Sequence, residues 1–197
     1  LNSSSNEYSS LIAGSKAGSG TYTYNRYVAG NTTFDLISAP FTGQSFSSLI
    51  SNNSGVIFDT SASVNQYLFG HFNNNDGVYK SYINDVSNEA STTLDAGLGF
   101  RTGTDSGATL AFTGTFETSN VTEPITLGSD ATYGRWNLIG NPFPSYLDLY
   151  HFFDDNDSNI ESGTYNAVYT YDGDDSNGSV WTTYNLSNVT ALGQYYI

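Results

Sequence analysis

The chain has 197 residues, a formal net charge of −14 with 5 Lys plus Arg against 19 Asp plus Glu, and neither Cys nor Met. So few cations argue against a nucleic-acid partner, whose phosphates need Lys and Arg, and the same charge disfavours an anionic membrane surface. The absent cysteines exclude disulfides and thiolate chemistry, and no run approaches the roughly 20 apolar residues that span a bilayer.

Tyr (16) and Phe (12) supply nearly all the aromatic rings, while Gly, Ser, Thr, Asn and Asp are abundant. Rings suit a pleated, half-buried surface and the small polar residues make turns, so the expected class is all-β. Residues 1–20 are rich in Ser, Gly and Asn. They read as a short strand at 8–13 and a linker at 14–20. Residues 21–28 (TYTYNRYV) alternate with strand periodicity. A strand over Phe34-Asp35-Leu36-Ile37-Ser38-Ala39-Pro40-Phe41 must stop at Pro40, which has no N–H for a ladder. Phe46, Leu49 and Ile50 are spaced for one or two helical turns. A short strand follows at 56–58. The runs 67–72 and 78–82 flank Asn73-Asn74-Asn75-Asp76-Gly77, a hairpin signal. Residues 96–101 (AGLGFR) then read as a closing strand.

The order repeats. Leu110, Phe112, Gly114 and Phe116 alternate with Thr and Ala, and 125–127 reads as a short strand. Trp136-Asn137-Leu138-Ile139-Gly140-Asn141-Pro142-Phe143-Pro144 reads as an apolar strand running into a proline-locked turn, and it aligns with 34–41. Ser145-Tyr146-Leu147-Asp148 has the form of a capping box with Asp for Glu. Leu147, Tyr150 and Phe153 are spaced to share one helical face. An acidic loop follows at 154–163. A second hairpin pairs 167–171 with 180–184 around Asp172-Gly173-Asp174-Asp175-Ser176-Asn177-Gly178, and 192–196 reads as a second closing strand. The expected architecture is a jelly-roll-like β-sandwich of two pseudo-repeated units, 21–107 and 108–197, with one short helix each, behind a leading strand and linker at 1–20. A chain that starts at Leu1 and ends on a strand pattern reads as a piece of a longer polypeptide.

Catalytic signatures are sparse. G-x-S-x-G, H-E-x-x-H and Walker A do not occur. His71 and His151 match no metal-ligand spacing. Nineteen carboxylates place some pair at glycosidase distance by chance, so their number is no evidence. Two binding patterns stand out. Asp155-x-Asp157-x-Asn159-x-Glu161 sets four oxygen side chains at alternate positions, as a loop around calcium does. It is not an EF-hand, since Ile160 stands where Gly makes the turn and Asn166 where the last Glu ligates. The competing reading is solvated turn acids, and Asp172, Asp174 and Asp175 carry the same two readings. Tyr169, Tyr171, Trp181 and Tyr184 offer a sugar-stacking platform. Cross-strand ring pairing within the sheet is the alternative.

The segments EYSSLI (7–12), YNRYV (24–28), FDLISAPFTGQ (34–44), GFRTGTDSGATLAFTGT (99–115), WNLIGNPFPSYLD (136–148), YNAVYTYDG (165–173) and LGQYYI (192–197) occur in this order. Together they resemble a region of large secreted and surface proteins of Bacteroidetes, especially flavobacteria, that precedes a C-terminal sorting domain of type IX secretion. Tyr195 stands where that family's ending has a second Gly. The resemblance implies export to the cell surface or medium and no activity. The expected role is a non-catalytic structural or adhesion module. Its expected partners are neighbouring domains of the same polypeptide, glycans, or further copies joined through hairpin edges into a filament. A carbohydrate-binding module of a polysaccharide-degrading enzyme is the alternative.

Overall fold

The computed structural model describes residues 1–4, 7–30, 34–83, 85, 90–173 and 181–192. The strands are β1 (Tyr22–Val28), β2 (Asp35–Ser38), β3 (Phe58–Asp59), β4 (Gln66–Tyr67), β5 (Phe69–Asn73), β6 (Val78–Ser81), β7 (Gly99–Thr102), β8 (Ala108–Gly114), β9 (Val168–Tyr171) and β10 (Trp181–Tyr184). Three short helices accompany them: α1 (Phe46–Asn52), α2 (Leu149–Asn156) and α3 (Leu186–Leu192). Among the described residues these strands all pair antiparallel, and the class is all-β.

The alternation of 21–28 becomes β1, paired along its length with β8 from Tyr22↔Gly114 to Val28↔Ala108. The second sheet has the order β2-β7-β5-β6. Between these layers and α1 lies the main core, which includes Val28, Ile37, Phe46, Leu49, Phe69, Phe100, Leu110 and Phe112. Phe69 and Phe100 stack at 4.7 Å, and Tyr82 meets Phe46 edge-on at 5.0 Å. Each such buried ring contributes about 1.5–3 kcal/mol. The pairing crosses the sequence division at 107/108, because β8 completes the core of the first unit.

Helix α1 forms where the three-and-four spacing placed it. Ser45 caps it by accepting from Ser48 N, as short hydroxyl side chains do for orphan N–H groups. Beyond its last turn, the Asn53 amide donates to Ala111 O and accepts from Ala111 N, while Gln44 Oε1 accepts from Thr113 N. Two side chains thus pair the outer edge of β8 where another strand would otherwise have to.

A smaller core holds the second half together. Leu149, Phe153 and Val189 are fully buried there, with Val168 and Tyr184 of the hairpin packed against them. The cap of α2 is Asp148, accepting from Tyr150 N and His151 N, three residues after the expected Ser145. Ser145 is held outside the helix because its carbonyl accepts from Asn141 Nδ2 at 2.6 Å. The buried face is accordingly Leu149 and Phe153, and Tyr150 is exposed.

Several expected strands are absent. Residues 136–144 make only the bridge Leu98↔Ile139, and Trp136 and Ile139 are exposed. The segment docks through Gly99 N to Leu138 O, Gly140 N to Gly97 O and Ser38 Oγ to Asn141 O. Glycine permits this approach: a Cβ on Gly99 would lie 2.6 Å from Leu138 Cγ, and one on Gly140 would overlap the Ser38 side chain. Ser38 and Gly140 hold the same place in the two aligned segments, so the segments cross at equivalent residues. Residues 8–13 contribute one bridge, Ser3↔Tyr8, and 125–127 form no strand. Leu192 ends α3 instead of opening a closing strand; 193–197 lie outside the described residues. No helix among the described residues is long and apolar enough to cross a membrane.

Asp35 joins the halves. Its buried carboxylate accepts from Ala29 N at 2.8 Å and from Gly173 N at 3.2 Å. A carboxylate out of water needs such donors, and they need it.

Candidate functional site

The second hairpin pairs Trp181↔Tyr171, Thr182↔Thr170, Thr183↔Tyr169 and Tyr184↔Val168. Side chains alternate across a strand. Tyr169, Tyr171 and Trp181 therefore share one face, and Tyr184 and Val168 take the other. That second face is packed against Leu149, Phe153 and Val189. Tyr184, expected on the platform, is a core residue by one step of parity.

The first face is a row of rings. Trp181 meets Tyr171 edge-on at 4.9 Å, and Trp136 meets Tyr169 edge-on at 4.9 Å. Trp181 is 49% and Trp136 40% exposed. Trp136 was not legible as a site residue: its segment is far from the hairpin in sequence, and its apolar run read as buried strand.

The row continues onto the four-stranded sheet. The Arg101 guanidinium of β7 lies 4.3 Å from the Tyr79 ring centre and 5.1 Å from that of Phe34. Burial pushes the Tyr79 phenol up; the Arg101 charge opposes this and Tyr171 adds to it. The end of β9 meets the sheet here, since Gly173 N donates to Asp35 of β2, the strand paired with β7. Phe34 closes the same corner, since a Cβ on Gly173 would overlap its carbonyl oxygen. Three other cations have partners: Lys80 pairs with Asp76, Arg135 with Glu161, and Lys16 donates to Phe116 O. The Arg101 guanidinium makes no hydrogen bond or ion pair with a described residue. Half-exposed ring faces beside unsatisfied N–H donors suit a polyhydroxylated ligand.

The expected calcium ligands are not brought together. Asp155 lies on α2, and Asp157 and Asn159 lie on a 3-10 turn continuing it. On a helix, alternate residues are about 200° apart, so they do not face one ion. Glu161 pairs with Arg135, and Asp157 Oδ1 accepts from Asn166 Nδ2. Among the described residues no three His, Cys, Asp or Glu gather to hold a metal. Asp174 and Asp175 lie outside the described residues. His71 Nδ1 is 3.2 Å from Tyr82 Oη, and His151 Nε2 is 3.9 Å from Asp148, on separate elements. Elsewhere, the Glu123 carboxyl is pushed up by burial and secondarily by Asp95, at the seam near Gly97.

No curated protein and no solved structure matches the chain. Residues 5–194 match the family described as Domain of unknown function (DUF8693), and the chain belongs to that family.

Proposed function

We propose that the chain is a non-catalytic structural and adhesion module of a larger protein exported by type IX secretion to the cell surface or medium. The observation that carries this is the stitching of remote segments into one body. Leu11 N donates to Pro144 O at 2.6 Å, Tyr146 Oη to Tyr8 O at 3.2 Å, and Gly173 N to Asp35 at 3.2 Å. Such ties suit a rigid spacer, because opening any one segment breaks contacts in another. The scaffold in this reading is a jelly-roll-like sandwich of two pseudo-repeated units, and the crossing of Ser38 with Gly140 supports it. Protease treatment of intact cells carrying the parent protein should remove this module, and its recovery undigested with the cytoplasm would overturn the reading. Incubated with a panel of polysaccharides, the purified chain should release no soluble sugar; any release would make it an enzyme.

The exposure of Trp136 and Trp181 favours a second reading, a carbohydrate-binding module of a polysaccharide-degrading enzyme. There, Trp181→Ala abolishes retardation in polysaccharide gels.

A further inference from the structure

We infer that Arg101 and the rings around it form a binding subsite for a neutral polysaccharide, with Arg101 as hydrogen-bond donor and Tyr171 and Trp181 as stacking surface. This names a ligand class for the adhesive surface and rests on the adhesion or carbohydrate-binding readings above.

In a chain with 19 carboxylates and 5 cations, an ion pair is the ordinary fate of a surface arginine, and Arg135 has one with Glu161. The Arg101 guanidinium has neither ion pair nor hydrogen bond among the described residues, although it carries five N–H donors and no acceptor. Yet it is held in place. The Tyr79 ring at 4.3 Å and the Phe34 ring at 5.1 Å fix its plane by cation–π contact. It stays half-buried rather than sealed. A positioned, partly accessible donor fork awaits oxygen acceptors, and adjacent hydroxyl oxygens on a sugar ring present them in pairs.

The rings beside it supply the apolar half of recognition. Tyr171 lies two residues before Gly173, which abuts Phe34 and donates to Asp35, and Trp181 stands against Tyr171 with nearly half its surface in solvent. A sugar ring offers C–H faces to such rings and hydroxyl edges to the fork.

Total charge decides between neutral and acidic glycans. At −14 the chain repels a polyanion, and at 0.01 M ionic strength the repulsion decays over about 30 Å. One guanidinium opposes it.

Arg26 provides the contrast. It also lies over a ring, Tyr8 at 4.3 Å, but its Nη1 is buried without a hydrogen-bond partner among the described residues. A ligand cannot reach that atom, so Arg26 is a packing residue.

Affinity electrophoresis in native, low-salt gels containing neutral glucans, xylan, mannan or polygalacturonate tests the inference. At least one neutral polymer should retard the wild-type chain, and polygalacturonate should not. Trp181→Ala and Arg101→Gln should each weaken retardation about tenfold or more, as loss of a stacking ring or a charged donor does. Arg101→Lys should recover little, because an ammonium lacks the planar fork, and it carries the test if Arg101→Gln does not fold. Arg26→Gln should behave as wild type. Retardation lost with Trp181→Ala but unchanged in both Arg101 variants would overturn the role of Arg101 and leave a carbohydrate-binding surface. No retardation by any neutral polymer would remove the glycan readings together, and stronger retardation by polygalacturonate would overturn the neutral class.

Discussion

The hairpins β5–β6 and β9–β10 begin from similar instructions and end in different settings. Both set aromatic strands around a turn containing Asp-Gly. β5 has β7 on its other edge and sends Phe69 into the main core. β9–β10 is a two-stranded sheet, held on one face by α2 and α3. What differs is the element that follows: strand Gly99–Thr102 after the first hairpin, helix Leu186–Leu192 after the second. A hairpin with a third strand becomes scaffold. One covered by helices on one face keeps the other for ring contacts with Trp136 and solvent.

The largest test of that contrast removes one buried ring from each core. Phe100→Ala should cost about 3–5 kcal/mol in urea unfolding. Phe153→Ala should fall at the low end of that range, about 3 kcal/mol, because the partly buried Phe152 and Ile160 can settle into the gap. Both tryptophans lie in the second half, so fluorescence reports it while far-ultraviolet dichroism reports the sheets. Coincident transitions in Phe153→Ala would mean the halves unfold as one; an earlier fluorescence transition would separate them.

A middle-sized effect probes the crossing point. Gly140→Ala drives a methyl into Ser38 and should cost about 1–3 kcal/mol. Adding Ser38→Gly should restore part of that loss, and a purely additive double variant would refute the direct contact.

The smallest effect lies at the seam. Burial, then Asp95, raises the Glu123 carboxyl in the folded chain. The folded state thus holds this proton more tightly than the unfolded one, so the group costs stability above the usual carboxylate range and that cost disappears as pH falls below it. Glu123→Gln should raise Tm at pH 7 by under about 2 °C, since the site is largely solvated, and the gain should vanish near pH 3. A gain that persists in acid would rule out the charge as its cause.

The sequence was most readable where a period or a turn residue fixes the backbone. β1 followed from alternation, α1 from the spacing of Phe46, Leu49 and Ile50, and both hairpins from Asp-Gly between ring-rich runs. It misled where a short apolar run carries no period. Leu138-Ile139 reads alike whether it joins a ladder or rests on glycines through one bridge. Helix α3 was hidden behind an analogy with the first closing strand. Its signal was Asn185-x-x-Asn188, whose side chains each accept from the other's backbone N–H in the manner of a capping box. Of the four rings read together from the sequence, Tyr169 and Tyr171 share a face with Trp181, while strand parity sends Tyr184 to the other. Arg101 and Trp136 were invisible because only the docking of the second half against the first sheet brings Gly173 onto Phe34 and Asp35 and sets Trp136 beside Tyr169.

The shared carboxylate of Asp35 also sets a clock for the nascent chain. Its second donor, Gly173, emerges 138 residues later, which at roughly 5–20 residues per second is on the order of 10 s of synthesis. Through that interval the early sheet has a charged group only half satisfied. Locking therefore waits for the late hairpin, and an unlocked chain is the form a chaperone would meet first.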